Sequence, residues 1–239
     1  MTQHAILDNK THRALRVRSD VGTDLGDGVM GTLIVPDEFR NVQGHFPILF
    51  RREPGRDDFF ALALFGFENG ENLFLDGSRW DARYRPLSLA IQPFLIGHPQ
   101  SGEGPGQVHI DLGHPRIAAD GDGVRLFDAE GAATPYLEEI AERLGALDEG
   151  YRGSKAFFDA LIAYELLEPF SLEVTLDDMS VHSLVGYHII DEAKLHALDA
   201  DAIGRLHADG HLMPIFMALA SLSQISALVA RKNRGLARG

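Results

Sequence analysis

Glycine and proline are distributed unevenly along this chain, and that asymmetry constrains its fold more than any other feature. Residues 1–131 hold 17 of the 25 glycines and 8 of the 11 prolines. Both residues interrupt helices, so the first half is expected to be strands and loops and the second half mainly helices. Strands first, then helices around a late hairpin, predict an α+β fold. The 239 residues are read as a single domain, 1–239, with residues 1–30 poorly ordered or peripheral and 231–239 a basic tail.

Local patterns fill in this outline. Val21 to Gly31 reads as loop. Phe46-Pro47-Ile48-Leu49-Phe50 reads as a strand leading into a turn at Glu53-Pro54-Gly55-Arg56-Asp57. Phe59 to Phe67 is apolar on both faces, which predicts a central strand covered on both sides. Asn69-Gly70 marks a tight turn and Leu73 starts a third strand, so an antiparallel meander is expected. Phe94 to Ile96, Val108 to Leu112 and Leu126-Phe127 read as further strands, with a mobile loop from Pro99 to Gly106. Thr134 and Pro135 open a helix carrying Leu137, Ile140, Leu144 and Leu147, and a second carries Phe157 to Leu166. A hairpin over Phe170–Leu176 and Val181–Ile190 follows. After it come short helices near 191–198 and 199–208, the second capped by Asp199, and one last helix over about 212–232.

Composition excludes several function classes. The chain has no cysteine, so a thiol nucleophile, a disulfide scaffold and a cysteine-ligated metal are ruled out. Net charge is −13, from 22 basic and 35 acidic residues, which argues against nucleic acid and anionic membrane as partners. Both ends are locally basic: Lys10, Arg13, Arg16 and Arg18 near the start, and Arg231, Lys232, Arg234 and Arg238 near the end. Solvated termini are the plain reading of these ends. No apolar run approaches the ~20 residues of a membrane span, so no membrane insertion is expected. Met1 to Asp20 lacks an apolar core, so no signal peptide is expected and the cytoplasm is the expected compartment, with export without a cleaved signal as the alternative.

Certain segments resemble a known family. They are Phe46-Pro47-Ile48-Leu49-Phe50, Leu62 to Gly66, Glu68-Asn69-Gly70-Glu71-Asn72-Leu73-Phe74-Leu75-Asp76, Trp80, Tyr84, Pro93-Phe94-Leu95 and Leu126-Phe127-Asp128. Leu184 to Asp191 with Glu192, Leu195 and Leu198, then Leu219 to Leu222, continue the pattern. In this order and spacing they resemble the bacterial SapC-like family over roughly residues 40–228. The family is named for a protein encoded with a surface-layer system. Similar proteins are commonly encoded beside TonB-dependent outer-membrane receptors, flavin-dependent halogenase-like enzymes and cupin-like hydroxylases. The resemblance implies an accessory role in nutrient uptake or substrate modification, and supplies no catalytic motif.

Candidate chemistry lies in a few places. Trp80, Arg83, Tyr84 and Arg85 could form an aromatic and cationic lip that binds a ligand, though a lone tryptophan also suits a core. His109-Ile110-Asp111 on a strand puts an imidazole and a carboxylate on one face, the start of a two-His-one-carboxylate iron site. His114, His182 or His188 could supply the third ligand. The plainer reading has Asp111 accepting backbone N–H bonds in a turn and His109 packing at a strand edge. Glu68, Glu71 and Asp76 flank a turn and are expected to solvate it. Met213, Phe216 and Met217 on the last helix would make an adaptable contact surface if exposed, and that helix could pair with a second copy. Three functions are therefore carried forward. The first is an accessory binding protein with a protein or small-molecule partner and no required cofactor. The second is a non-haem Fe(II) oxygenase, and the third a surface-layer-associated structural protein.

Overall fold

The computed structural model describes residues 3–53, 55, 58–98, 106–118 and 121–237. In chain order its strands are β1 (His4–Ile6), β2 (Arg16–Val17), β3 (Gly31–Ile34), β4 (Ile48–Arg52), β5 (Phe59–Leu64), β6 (Leu75–Asp76) and β7 (Arg79–Trp80). They continue with β8 (Phe94–Gly97), β9 (Gln107–Asp111), β10 (Ile117–Ala118), β11 (Val124–Arg125), β12 (Leu167–Thr175) and β13 (Val181–Ile190). The helices are α1 (Phe39–Val42), α2 (Leu87–Ala90), α3 (Pro135–Ala163), α4 (Glu192–Ala197), α5 (Ala200–Ala208), α6 (Leu212–Ser221) and α7 (Gln224–Leu236). Short strands dominate the first half and helices the second, an α+β fold.

The chain divides into two compact units. The first comprises residues 1–28, 75–81 and 87–149; the second comprises 29–74, 82–86 and 150–239. In the first, β1, β9 and β8 form one three-stranded antiparallel sheet and β10, β2 and β11 another, with β6 and β7 a separate hairpin. Its core gathers Val17, Phe94, Ile110, Leu126, Leu137, Ile140 and Leu144. The apolar stripe read from Leu137 to Leu144 is thus the face that buries. Residues 1–30, expected at the periphery, supply β1 and β2 to these sheets, and Val17 is fully buried.

The second unit is built on a five-stranded sheet in the order β12-β13-β4-β5-β3. β5 is internal, as its two apolar faces require, with Ala61, Ala63 and Leu64 buried. The expected meander is corrected here. β4 and β5 pair antiparallel from Ile48↔Ala63 to Arg52↔Phe59, but the chain after Phe67 leaves the sheet. The other edge of β5 is taken by β3, from just beyond a stretch read as loop. A Cβ at Gly31 would sit 2.8 Å from the Ala63 carbonyl oxygen, so this pairing needs glycine, the residue that disguises the strand in the sequence. Of the expected turn after β4, residues 54, 56 and 57 lie outside the described residues, as do residues 99–105 of the expected mobile loop.

The helices bring two more corrections. The two helices expected between Thr134 and Leu166 are one continuous α3 of 29 residues, which Gly145, Gly150 and Gly153 do not break. The single last helix is instead two. The Ser221 hydroxyl donates to the Ala218 carbonyl and the Ser223 hydroxyl to that of Ala220, and the helix breaks at Leu222–Ser223. Taken together, Leu212–Leu236 is long and apolar enough by length and composition to cross a membrane, contrary to the expectation that no run would be. A helix packed on a core meets the same criterion. The hairpin, and Asp199 as the cap of α5 through Ala202 N–H at 2.8 Å, are as expected.

Candidate functional site

The residues of the expected lip fall in different units. Trp80 ends β7 in the first unit, half-buried. Arg83, Tyr84 and Arg85 belong to the second. There the Tyr84 hydroxyl donates to Glu38 Oε1 at 2.8 Å, while Glu38 Oε2 accepts from Val35 N–H at 3.1 Å. Glu38 is buried, so Tyr84 helps satisfy a carboxylate inside the fold. Arg83 is exposed; after burial, its charge and that of Arg231 hold the His45 imidazole below its usual 6.5.

His109 and Asp111 share a face of β9, as the strand period requires. Their side chains have other work. Asp111 Oδ1 accepts from Gln3 N–H at 2.8 Å and Gly113 N–H at 3.0 Å. The Gln3 bond is the main reason its carboxyl lies below the usual 3.8. A Cβ at Gly97 would overlap the His109 ring, which packs against Gly97 of the neighbouring strand β8. His114 Nδ1 accepts from Arg116 N–H at 3.2 Å, and burial pushes its pKa down. His188 lies in the second unit, on β13, edge-on to Phe59 at 5.0 Å, with its buried Nδ1 unpartnered. Among the described residues no group of three or more His, Asp or Glu side chains is placed to hold a metal ion.

Two polar clusters escaped the sequence. In the first unit, Arg116 and Asp27 form a fully buried ion pair at 2.7 Å. Arg116 also donates to the Arg18 and Asp20 carbonyls at 3.0 and 2.6 Å. In the second unit, Lys232 pairs with Glu71 at 2.5 Å and Glu68 at 3.5 Å, and His182 meets Glu68 at 3.1 Å. Glu71 also accepts from Phe67 N–H at 2.8 Å. The turn acids therefore anchor α7 rather than merely solvating a turn. The basic C-terminal stretch is correspondingly engaged: Lys232 is largely buried and Arg231 stacks on Phe74 at 4.2 Å. No local pattern links residues some 160 positions apart.

The second unit also holds a cavity of about 410 Å³. One side is the 3₁₀ turn at Pro36–Glu38 and the start of α1, which bring Asp37 and Arg40. A second is α3, with Gly150, Gly153 and Phe157, and a third is the α5–α6 turn and first two turns of α6, with Asp209, Met213 and Met217. Phe157 is almost fully buried and is fixed edge-on between Phe39 at 5.9 Å and His211 at 5.7 Å, so the floor is rigid. The two glycines differ. A Cβ at Gly150 would lie 2.6 Å from Val35 Cγ2, so Gly150 is required by packing. A Cβ at Gly153 would meet nothing within 4 Å, so the helix is bare there without any demand from the fold. Beside the cavity, Met213 and Phe216 are 58% and 55% exposed on α6, while Ile215 and Ala218 are buried. Of the three side chains read as a contact surface, Met213 and Phe216 are thus exposed and Met217 is half-buried. The cavity itself, built from segments distant in sequence, was not legible.

No curated protein and no solved structure matches this sequence. A family model described as SapC matches residues 7–228, a longer span than the motif resemblance covered. With nearly the whole sequence matched in this way, the chain belongs to the SapC family.

Proposed function

We propose that this SapC-family chain is an accessory binding protein that takes a small molecule into the cavity of its second unit. The carrying observation is the cavity itself: a rigid aromatic floor at Phe157, adaptable methionines at Met213 and Met217, and a mid-helix Gly153 that nothing in the fold requires. Gly153 bares the α3 backbone at the cavity wall, which leaves room there for close approach by a ligand. The exposed Met213 and Phe216 offer a protein partner, or a second copy of the chain, a surface beside the filled cavity. The family resemblance supports a link between this binding and outer-membrane nutrient uptake or substrate modification.

The binding reading is preferred to an iron oxygenase because of what the candidate ligands already do. Asp111 spends Oδ1 on two backbone N–H groups, and His109 packs against Gly97 of β8. The test is a thermal-shift screen of amino acids, sugars, nucleosides and carboxylates on the wild type and Gly153→Leu. A Cβ at 153 meets nothing within 4 Å and Gly153 lines the cavity, so leucine there is expected to fill the cavity while leaving the fold intact. The reading expects at least one class to raise the melting temperature of the wild type and not of the variant. Shifts equal in both proteins, or none with any class, would refute it.

A further inference from the structure

We infer that the ligand of this cavity is a small zwitterion with an apolar body, the chemistry of an apolar α-amino acid; this deepens the binding reading and rests on it. The cavity presents three ionised side chains, Asp37, Arg40 and Asp209. Among the described residues none of the three forms an ion pair or a side-chain hydrogen bond. All three are solvent-exposed, and they line the same cavity as the apolar Phe157, Met213 and Met217. A neutral apolar ligand would cover charges and strip their water with nothing in return. An anion would satisfy Arg40 but meet two carboxylates. A cation would satisfy the carboxylates but leave Arg40 facing it. Only a ligand carrying both signs answers both sets. The Arg40 guanidinium matches a carboxylate in a two-pronged arrangement, and the aspartates match an ammonium.

Size and shape narrow the class. A cavity of about 410 Å³ lies in the lower part of the small-molecule range of about 300–1,000 Å³. Asp37 stands close to α3, its Oδ2 3.5 Å from where a Cβ at Gly150 would be. It is thus placed one turn of helix from the bare backbone at Gly153. A ligand ammonium at Asp37 can therefore send its side chain over Gly153 onto the Phe157 floor. The flexible thioethers of Met213 and Met217 adapt to aromatic and aliphatic bodies alike, so the cavity selects charge pattern over side-chain shape.

The experiment is calorimetric titration of the full chain with L-phenylalanine, phenethylamine and 3-phenylpropionate, on wild type, Arg40→Gln and Gly153→Leu. The expected result is binding of L-phenylalanine, with each singly charged analogue weaker by at least about tenfold. Arg40→Gln should erase the advantage of L-phenylalanine over phenethylamine, and Gly153→Leu should abolish binding while melting no lower than the wild type. Equal affinity for all three compounds, with Gly153→Leu still blocking them, would overturn the zwitterion and leave the cavity as the binding site. Binding untouched by Gly153→Leu would overturn both. No binding of any of the three compounds would overturn the zwitterion alone, the cavity then standing or falling on the wider screen.

Discussion

Two glycines three residues apart on α3 should respond to alanine with opposite signs. In a helix interior, replacing glycine by alanine gains about 0.5–1 kcal/mol through backbone entropy. At Gly153 a Cβ meets nothing within 4 Å, so the full gain is expected. At Gly150 the new Cβ would lie 2.6 Å from Val35 Cγ2 and 3.1 Å from Val35 Cβ. Ordinary carbon contacts lie at about 3.5–4.0 Å, so the shortfall is about 1 Å. Val35 is buried and β-branched, and cannot swing aside. Overpacking of this kind costs about 1–3 kcal/mol. Set against the helix gain, Gly150→Ala should lose about 1 kcal/mol net, and the two variants should differ by about 2 kcal/mol. Urea unfolding followed by circular dichroism reads both, as shifts of midpoint at unchanged slope. Equal stabilisation by the two alanines would refute the assignment of Gly150 to packing and Gly153 to the cavity.

Other outcomes follow from the buried polar groups. Arg116→Met strands Asp27 in the core of the first unit and should cost about 3–5 kcal/mol in chemical denaturation; a loss near zero would contradict the buried pair. Ser221→Ala leaves the Ile48 N–H, now bonded to Ser221 Oγ at 2.9 Å, without an acceptor, and should cost about 1–3 kcal/mol in the same assay. His45, His114 and His188 all lie below the usual 6.5, with burial the leading cause in each. The unfolded chain takes up protons at these sites first as pH falls, so their contribution is fully present above pH 6.5 and is lost as pH drops through the folded values. Stability should therefore fall as the pH is lowered from neutral through 6.5 and below, less steeply in His188→Gln; a wild-type profile that stays flat on the acid side of 6.5 would contradict it.

The sequence made the local elements legible where a single physical signal acts alone. The two-faced apolar run of β5, the Thr134-Pro135 helix start, the Asp199 cap and the β12–β13 hairpin each carry their own cue. It failed where two cues compete. Gly31 reads as loop because glycine weakens strands, yet close approach to Ala63 is what demands glycine there. Serines at 221 and 223 pass as helix formers until their hydroxyls take the carbonyls of the preceding turn. The site was partly legible: Met213 and Phe216 could be named as a surface, because an apolar face with adaptable side chains shows in the helical period. Asp37, Arg40, Gly153 and Asp209 could not, since their convergence depends on α1, α3 and the α5–α6 turn meeting in space. The Lys232–Glu71 link was hidden for the same reason.

The central claim is that the cavity beside Gly153 is where a ligand sits. The chain has no cysteine, so Gly153→Cys introduces a lone thiol into the cavity wall, and Gly145→Cys puts one on the same helix where a Cβ also meets nothing within 4 Å. The rate of maleimide labelling of each variant, with and without the compounds that raise the wild-type melting temperature, is the decisive measurement. The account predicts that those compounds slow labelling of Gly153→Cys and leave Gly145→Cys unchanged. Equal rates at both positions, with and without ligand, would contradict it.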